Sequence, residues 1–306
     1  STIIDSCIIR NNISERGGGV SIKDGAPIIT NCRIENNISE EKGGGIYYEN
    51  TDEDNELKLE GCVLGSNTSQ HRGGGLYIEV GFPQLILCTF EDNIASEGGA
   101  VYIFDENDGF LKGERFCQFT KCKFINNSAQ IGGGFFVDKN TSTSVKYSII
   151  VKNESTSSIV GGGGIFVNNS SLLKIDHSTF SLNKTNNLDG GSFLIYSSIG
   201  EESEVNISNS IIYKDQAETS IKQDYDVEEG IFNISFTQIQ DGFFFETVFI
   251  DGQEIEIGEE LQNSNLNPLF VDPENDFHLQ EGSPCIDSDD AGNNKGGYGG
   301  IYENWE

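Results

Sequence analysis

The sequence predicts an all-β chain wound into a right-handed, single-stranded parallel β-helix, with three short strands per coil and about nine to eleven coils. Three observations lead there. Glycine blocks begin at Gly17, Gly43, Gly73, Gly98, Gly132, Gly161 and Gly190, at steps of 25 to 34 residues, inside the period range of solenoids. Apolar residues between them follow the two-residue alternation of strands, not the 3.6-residue period of helices. Chemically alike residues also recur at one place in every unit, as they must when coils stack and like lies above like.

The repeat is clearest as Cys32-Arg-Ile-Glu-Asn-Asn37-Ile-Ser-Glu-Glu-Lys-Gly43-Gly-Gly45-Ile-Tyr47-Tyr48. Versions of it start at Cys7, Cys62, Cys88, Cys122, Ser148 and Ser178, and Ser210 and Thr237 continue it without glycine. Three positions before the small residue stands an apolar one (Ile4, Ile29, Leu59, Leu85, Phe119, Val145, Ile175, Ile207), and two after it another (Ile9, Ile34, Leu64, Phe90, Phe124, Ile150, Phe180, Ile212). An odd separation cannot face one way along a single strand, so a bend divides two short strands there. The third strand follows the glycines. Val20, Ile46, Leu76, Val101, Phe135, Ile165 and Phe193 share parity with Ile22, Tyr48, Ile78, Ile103, Val137, Val167 and Ile195, and both sets face in. At ~4.8 Å per coil, the eight or nine recognisable coils make a rod roughly 40 Å long.

Stacking explains the ladder Asn12, Asn37, Asn67, Asn93, Asn127, Asn153 and Asn183. Asn tolerates left-handed backbone and bonds main chain at turns, so the expected role is structural. The glycine blocks supply a sharp corner, and the Cys/Ser position takes a small inward side chain. Insertions at 50–56, 104–115 and 201–204 read as flank loops. The pattern lapses over 215–229. Apolar runs in 232–258, split by Asp251-Gly252, read as a hairpin. Residues 1–240 are thus the repeats, and 241–306 the last coil or coils, hairpin and C-terminal cap of the same domain.

Two resemblances become specific at this point. Phe90-Glu-Asp-Asn93 followed by Gly98-Gly-Ala-Val101, and Phe124-Ile-Asn-Asn127 followed by Gly132-Gly-Gly-Phe135, resemble the polymorphic outer-membrane-protein repeat. The tail, with Asn267-Pro-Leu-Phe-Val-Asp-Pro273, Asp276-Phe-His-Leu279, Gly282-Ser-Pro-Cys-Ile-Asp287 and Gly299-Gly-Ile-Tyr-Glu303, resembles the ending of secreted proteins of the parallel β-helix repeat superfamily. The resemblances imply a secreted β-helix. Relatives include adhesins, passengers and exported proteins, and some β-helix families are polysaccharide lyases or hydrolases, so activity must be argued from a site.

Composition narrows the partners. Against 49 Asp and Glu there are 19 Lys and Arg, a formal charge of −30, which opposes nucleic acid and anionic membrane surfaces. It suits solubility, calcium or a basic partner. No run of about 18 apolar residues offers a transmembrane helix. There is no methionine, so the first residue is read as the start of a processed protein or segment. Its sequence falls straight into a coil, whose open edges call for cover by preceding chain or another subunit.

No catalytic signature emerges. Lyase chemistry needs an Arg base beside a calcium-binding acidic cluster; of the five arginines, Arg10, Arg16, Arg33, Arg72 and Arg115, Arg10 and Arg33 lie beside the strand corner without a nearby Asp cluster. Hydrolysis needs paired carboxylates on adjacent coils, whereas Asp52, Asp54, Asp105, Asp108, Asp287, Asp289 and Asp290 fall mostly in loops. His71, His177 and His278 pair with no nucleophile. No cofactor is expected. Asp287-Ser-Asp-Asp290-Ala-Gly292 resembles part of a calcium loop but lacks the distant Glu.

The outward residue of the third strand runs Ser21, Tyr47, Tyr77, Tyr102, Phe136, Phe166, Leu194, an aromatic stripe expected to be exposed. It reads as a self-stacking ladder, an assembly face or a glycan-binding face. Asn-x-Ser/Thr sequons fall at Asn12, Asn37, Asn67, Asn126, Asn140, Asn153, Asn168, Asn169, Asn183, Asn206 and Asn233, about twice the number chance gives. Five are ladder positions. Asn140, Asn168 and Asn206, then Asn126 and Asn233, are the glycosylation candidates if the producer is eukaryotic; a bacterial producer would leave all empty. Stacked cysteines at 7, 32, 62, 88 and 122 allow inter-coil disulfides such as Cys7–Cys32 and Cys62–Cys88, or inward thiols. Cys117 and Cys122 are the one close pair, without zinc spacing. The expected function is a non-catalytic structural or adhesive rod, extracellular or at the cell surface, a glycosylated subunit self-assembling into a fibre or layer. The alternative is a carbohydrate-binding or lyase-like protein.

Overall fold

The structure, a computed structural model, describes residues 2–51, 56–105, 115–159, 161–186, 189–196, 203–213, 219–224, 231–235, 237–239, 248–250, 253–255 and 266–286. The fold is the expected all-β parallel solenoid, with one strand per coil more than the apolar pattern shows. Four parallel sheets run along it. The first and second hold nine strands each, the third seven and the fourth eight. In the first coil these are Ile3–Asp5, Ile8–Arg10, Ile13–Arg16 and Val20–Lys23. The third sheet escaped the sequence pattern because each of its strands turns only one small residue inward. Ser39, Ser69, Ala95, Ala129, Ser155 and Thr185 fill that row, all buried.

Three corners join the four strands. The bend required between the first two is a left-handed residue, Ser6, Asn31, Gly61, Leu87, Lys121, Tyr147, His177 or Asn209. A second left-handed row (Asn11, Asn36, Ser66, Asp92, Asn126, Lys152, Leu182) precedes each ladder Asn. The ladder Asn themselves are therefore not the left-handed residues. Their contribution is the side-chain amide, which reaches the coils on either side. The third corner is glycine by necessity. Gly73 has φ +64°, and a Cβ on Gly74 would lie 2.3 Å from the Gly99 carbonyl oxygen on the next coil.

Inside, like stacks on like in strict register: Leu64 pairs with Ile34 and Phe90, and Leu76 with Ile46 and Val101. The core so formed runs from Ile22 to Ile239, and each fully buried aliphatic or aromatic side chain in it contributes about 1.5–3 kcal/mol. The small-residue column, Cys32 through Cys122 and then Ser148, Ser178 and Ser210, is inward and buried. All of Cys7, Cys32, Cys62, Cys88, Cys117, Cys122 and Cys285 are free thiols, with Cys7 alone exposed.

Where the pattern lapses, the chain supplies another strand of the fourth sheet, Thr219–Asp224, with Phe193 opposite Ile221. The hairpin is Val248–Ile250 against Gln253–Ile255, antiparallel. Residues 266–286, the described part of the tail, form a second hairpin lying along the solenoid's flank. Phe270, Phe277 and Cys285 pack on the outward residues Ile149, Val151, Ile211 and Tyr213 of the second sheet. In the earlier coils the same outward rows are mostly polar, with Arg10, Arg33, Glu35, Glu91 and Lys123 beside Ile8 and Val63.

Two substitutions test this frame. Asn93→Ala removes four hydrogen bonds, from Asn67 N and Nδ2 and to Leu64 O and Asn127 Oδ1, and is expected to cost about 3 kcal/mol. Gly74→Ala forces a backbone shift and should cost at least as much. Urea unfolding checks both; a change below about 1 kcal/mol in either would contradict the packing described.

Candidate functional site

Stacked strands of the fourth sheet place Tyr47, Tyr77, Tyr102, Phe136, Phe166 and Leu194 in one outward column. The rings of Tyr47 and Tyr77 lie 5.7 Å apart and 5° from parallel, and those of Tyr77 and Tyr102 5.3 Å and 9°. The column is not the exposed stripe that outward direction suggested. Every member is at most 5 % accessible, and the set forms a second apolar cluster outside the main core.

The rings bury one another, Phe104, Ile131 and Tyr196 pack against them, and a row of cations closes over the three tyrosines. Lys42 Nζ lies 4.8 Å from the Tyr77 ring centre, Arg72 Cζ 4.9 Å from Tyr102 and Arg16 Cζ 5.9 Å from Tyr47. Each cation is tied to a carboxylate, Arg16 to Glu41 at 3.0 Å, Lys42 to Glu79 at 2.9 Å and Arg72 to Glu97 at 2.9 Å. Face-on cations are attracted by the ring quadrupole, the more so when partly desolvated. Sequence reading missed this row although a signal existed: Arg16, Lys42 and Arg72 each immediately precede a glycine block.

The hydroxyls follow a rule of their own. Each reaches the residue two beyond its register partner on the next coil. Tyr47 donates toward Glu79, with Glu49 also in range at 2.7 Å, and Tyr102 donates to Asp138 at 2.5 Å. Tyr77 looks toward Phe104 instead, and its buried hydroxyl has no partner. Burial pushes the Tyr47, Tyr77 and Tyr102 phenols up. Burial alone would raise Glu79, but the Tyr47 hydroxyl and Lys42 outweigh it and hold the carboxyl below its ordinary range.

Above the column lies an open groove of about 290 Å³ lined by Glu41, Lys42, His71, Arg72, Ser96 and Glu97. It presents charges of both signs, not ring faces, to a visitor. Beside it a column of isoleucines faces solvent: Ile13, Ile38 and Ile94, accessible to 69 %, 39 % and 52 %, with Thr68 in register between the last two.

The other sequence candidates scatter. Asp176 accepts from Ser208 Oγ and Asn209 Nδ2, both at 2.9 Å, and its Oδ1 lies 3.0 Å from His177 Nδ1. Carboxylate, hydroxyl and imidazole meet, but the carboxylate is in the middle, and a nucleophilic triad needs the imidazole there. Asp5 makes the same corner with Thr30 and Asn31. His278 pairs with Asp276, and His71 stands on the groove rim. Arg10 and Arg33 pair with Glu35, and Arg115 with Glu56. Among the described residues no three His, Cys, Asp or Glu side chains converge on a metal position. The calcium-loop fragment from Asp287 to Gly292, with Asp52, Asp54 and Asp108, lies outside the described residues.

Of the glycosylation candidates, Asn126 is exposed and Asn140 half-buried. Asn168 donates to Asp138, Asn206 to Glu204 and Asn233 to Asn206. No family model matches the chain, and neither a curated protein nor a solved structure matches it.

Tyr77→Phe removes an unpartnered hydroxyl and should raise stability by roughly 1 kcal/mol, while Tyr102→Phe, which strips a donor from Asp138, should lower it by about as much. Thermal unfolding of the pair reads the difference; equal signs would refute the offset rule. Acid supplies a second check. Glu79 and Asp176 have folded-state values held low, so their contribution is complete above the ordinary carboxylate range and lost as pH falls through the folded values. Mild acid first relieves repulsion among −30 charges. The unfolding temperature should therefore peak at about pH 5 and fall steeply below about pH 4. Glu79→Gln should blunt that fall.

Proposed function

We propose that the chain is a non-catalytic structural or adhesive β-solenoid, working outside the cell or on its surface and associating with further copies of itself. The isoleucine column carries the reading. Ile13, Ile38 and Ile94 stand exposed along the third sheet, beside a rim that alternates Arg16, Glu41, Lys42, Arg72 and Glu97. Apolar residues bordered by both signs of charge are self-complementary across a two-fold axis. The non-catalytic part of the proposal is supported by the carboxylates. Asp5, Glu79, Asp138 and Asp176 each accept hydrogen bonds from neighbouring coils, which holds them as fixed acceptors and not as free acids or bases. Export agrees with the resemblance of the tail to secreted β-helix proteins.

The groove favours one alternative, a carbohydrate-directed protein. A sugar would meet Glu41, His71, Arg72 and Glu97 at the rim and not the buried rings. Loss of glycan binding would then follow Arg72→Ala or His71→Ala as readily as Tyr77→Ala.

Light scattering over a concentration series, beside negative-stain electron microscopy, decides between the two. Growth in mass with concentration, abolished by Ile38→Asp with Ile94→Asp, supports assembly through this face. Monomeric rods that bind a glycan panel would replace the reading with the alternative.

A further inference from the structure

Eleven Asn-x-Ser/Thr sequons in one chain look like a glycoprotein's signature, but the fold gives five of them another origin. A ladder Asn faces inward, the next residue faces out, and the one after enters the narrow side of the coil under the third sheet. Only a small side chain fits there. Ser39, Ser69, Ser155 and Thr185 occupy that row, and Ala95 and Ala129 stand in the same register. An inward Asn, an outward residue and an inward small hydroxyl spell a sequon.

The acceptor atom for a glycan is Nδ2, and the ladder has used it. Asn37 Nδ2 donates to Ile9 O at 3.0 Å and to Asn67 Oδ1 at 3.1 Å. Asn67 Nδ2 donates to Ile34 O at 2.8 Å and Asn93 Oδ1 at 3.1 Å. Asn153 Nδ2 donates to Phe124 O at 3.0 Å and Asn183 Oδ1 at 3.1 Å, and Asn183 Nδ2 to Ile150 O at 2.9 Å. All four side chains are wholly inaccessible. A glycan on any of them replaces an amide hydrogen with a sugar that the close-packed interior cannot hold, and breaks the ladder on both sides. Transfer to a nascent chain acts on extended sequons, before coils close, and folding cannot reverse it.

We infer that Asn37, Asn67, Asn153 and Asn183 must remain unglycosylated, and that the protein is made and exported by a route that does not read Asn-x-Ser/Thr as an acceptor. The bond at stake is the one from the sugar's anomeric carbon to Nδ2, formed with loss of one amide proton and of the donor's lipid pyrophosphate. Such a route would also leave bare the candidates that the sequence offered, Asn140, Asn168, Asn206, Asn126 and Asn233. It does not depend on whether the rod assembles. Asn126, exposed at a left-handed corner in Asn126-Asn-Ser128, serves as an internal marker, since a transferase that met this chain would also find it.

The test sends the chain through a eukaryotic secretory pathway behind a cleavable leader, with bacterial cytoplasmic material as the folded reference. A second chain carries Ser39→Ala, Ser69→Ala, Ser155→Ala and Thr185→Ala, which erase the four buried ladder sequons, leave that of the exposed Asn12 and keep every ladder Asn in place. Alanine is native at two positions of that row, so the reference fold is expected to survive. Peptide mapping should find glycan on ladder Asn of the wild-type chain, with folded secreted yield about tenfold or more below that of the variant. The variant should carry glycan at Asn126. Blocking glycan-donor synthesis should restore the wild-type yield without any substitution. Folded, protease-resistant wild-type protein with glycan on Asn37, Asn67, Asn153 or Asn183 would overturn the inference. So would wild-type protein secreted with those four bare and Asn126 filled, because the coils would then have closed ahead of the transferase.

Discussion

An inward polar group in this solenoid must find its partners in the backbone of its own corner or in the coils on either side. The interior is one side chain wide and dry, and an unpaired amide there costs more than most packing contacts return. The Asn column meets the constraint by running its hydrogen bonds along the axis. The Cys/Ser column meets it the same way. Ser148 Oγ donates to Lys146 O at 2.8 Å and accepts from Cys122 N at 3.1 Å; Cys32 Sγ donates to Thr30 O at 3.1 Å and accepts from Cys7 N at 3.3 Å. Thiol and hydroxyl do one job, which is why cysteine gives way to serine after Cys122 without a break in the coil. Each column forces strict register on its neighbours, since a slip by one residue would strand every member at once.

The same axial logic operates outside the core, with charges. A chain carrying −30 has only 19 Lys and Arg, yet two of its five arginines, Arg16 and Arg72, are stacked over tyrosines together with Lys42. Like charges in adjacent coils repel. Arg16, Lys42 and Arg72 nonetheless lie in register on adjacent coils, each tied to its own carboxylate and held against a ring face, and a second apolar cluster forms on the outside of the sheet. An outward aromatic is thus not an exposed one. The Tyr77 hydroxyl marks the place where the offset followed by Tyr47 and Tyr102 fails, because Phe104 stands where the next acceptor belongs.

The parts legible in the sequence were those with strong side-chain contrast. Ile34 with Leu64, and Ile46 with Tyr48, gave the inward rows of three sheets; the parity break between Ile29 and Ile34 gave the first corner, which Asn31 makes. The third sheet was illegible because its inward row is serine and alanine, which also occur in turns. The strand Thr219–Asp224 was hidden for the same reason: it is polar, and only its register with Asp189–Tyr196 identifies it. Direction could be read for Tyr77 but burial could not, because burial there depends on cations belonging to another strand of the coil. The tail was recognisable as a motif. Its resting place needed the switch from Arg33 and Glu35 to Ile149 and Val151 along one outward row, a signal visible only once the coils are stacked.

That switch gives a way to separate function from architecture in a chain of this type. Inward rows are dictated by the coil and repeat because the coil repeats. Outward rows are free to vary, and single exposed residues such as Ile3 and Ile8 occur on them, so only an apolar residue repeated from coil to coil suggests something laid against it. On the second sheet the cover is present: Phe270 and Phe277 sit on Ile149 and Tyr213. On the fourth sheet the cover over the tyrosines is the cation row. On the third sheet Ile38 and Ile94 are apolar, in register and open to solvent, a row that the coil does not require. This row, and not the conspicuous asparagines, cysteines and glycines, is therefore where the proposed self-association is to be tested.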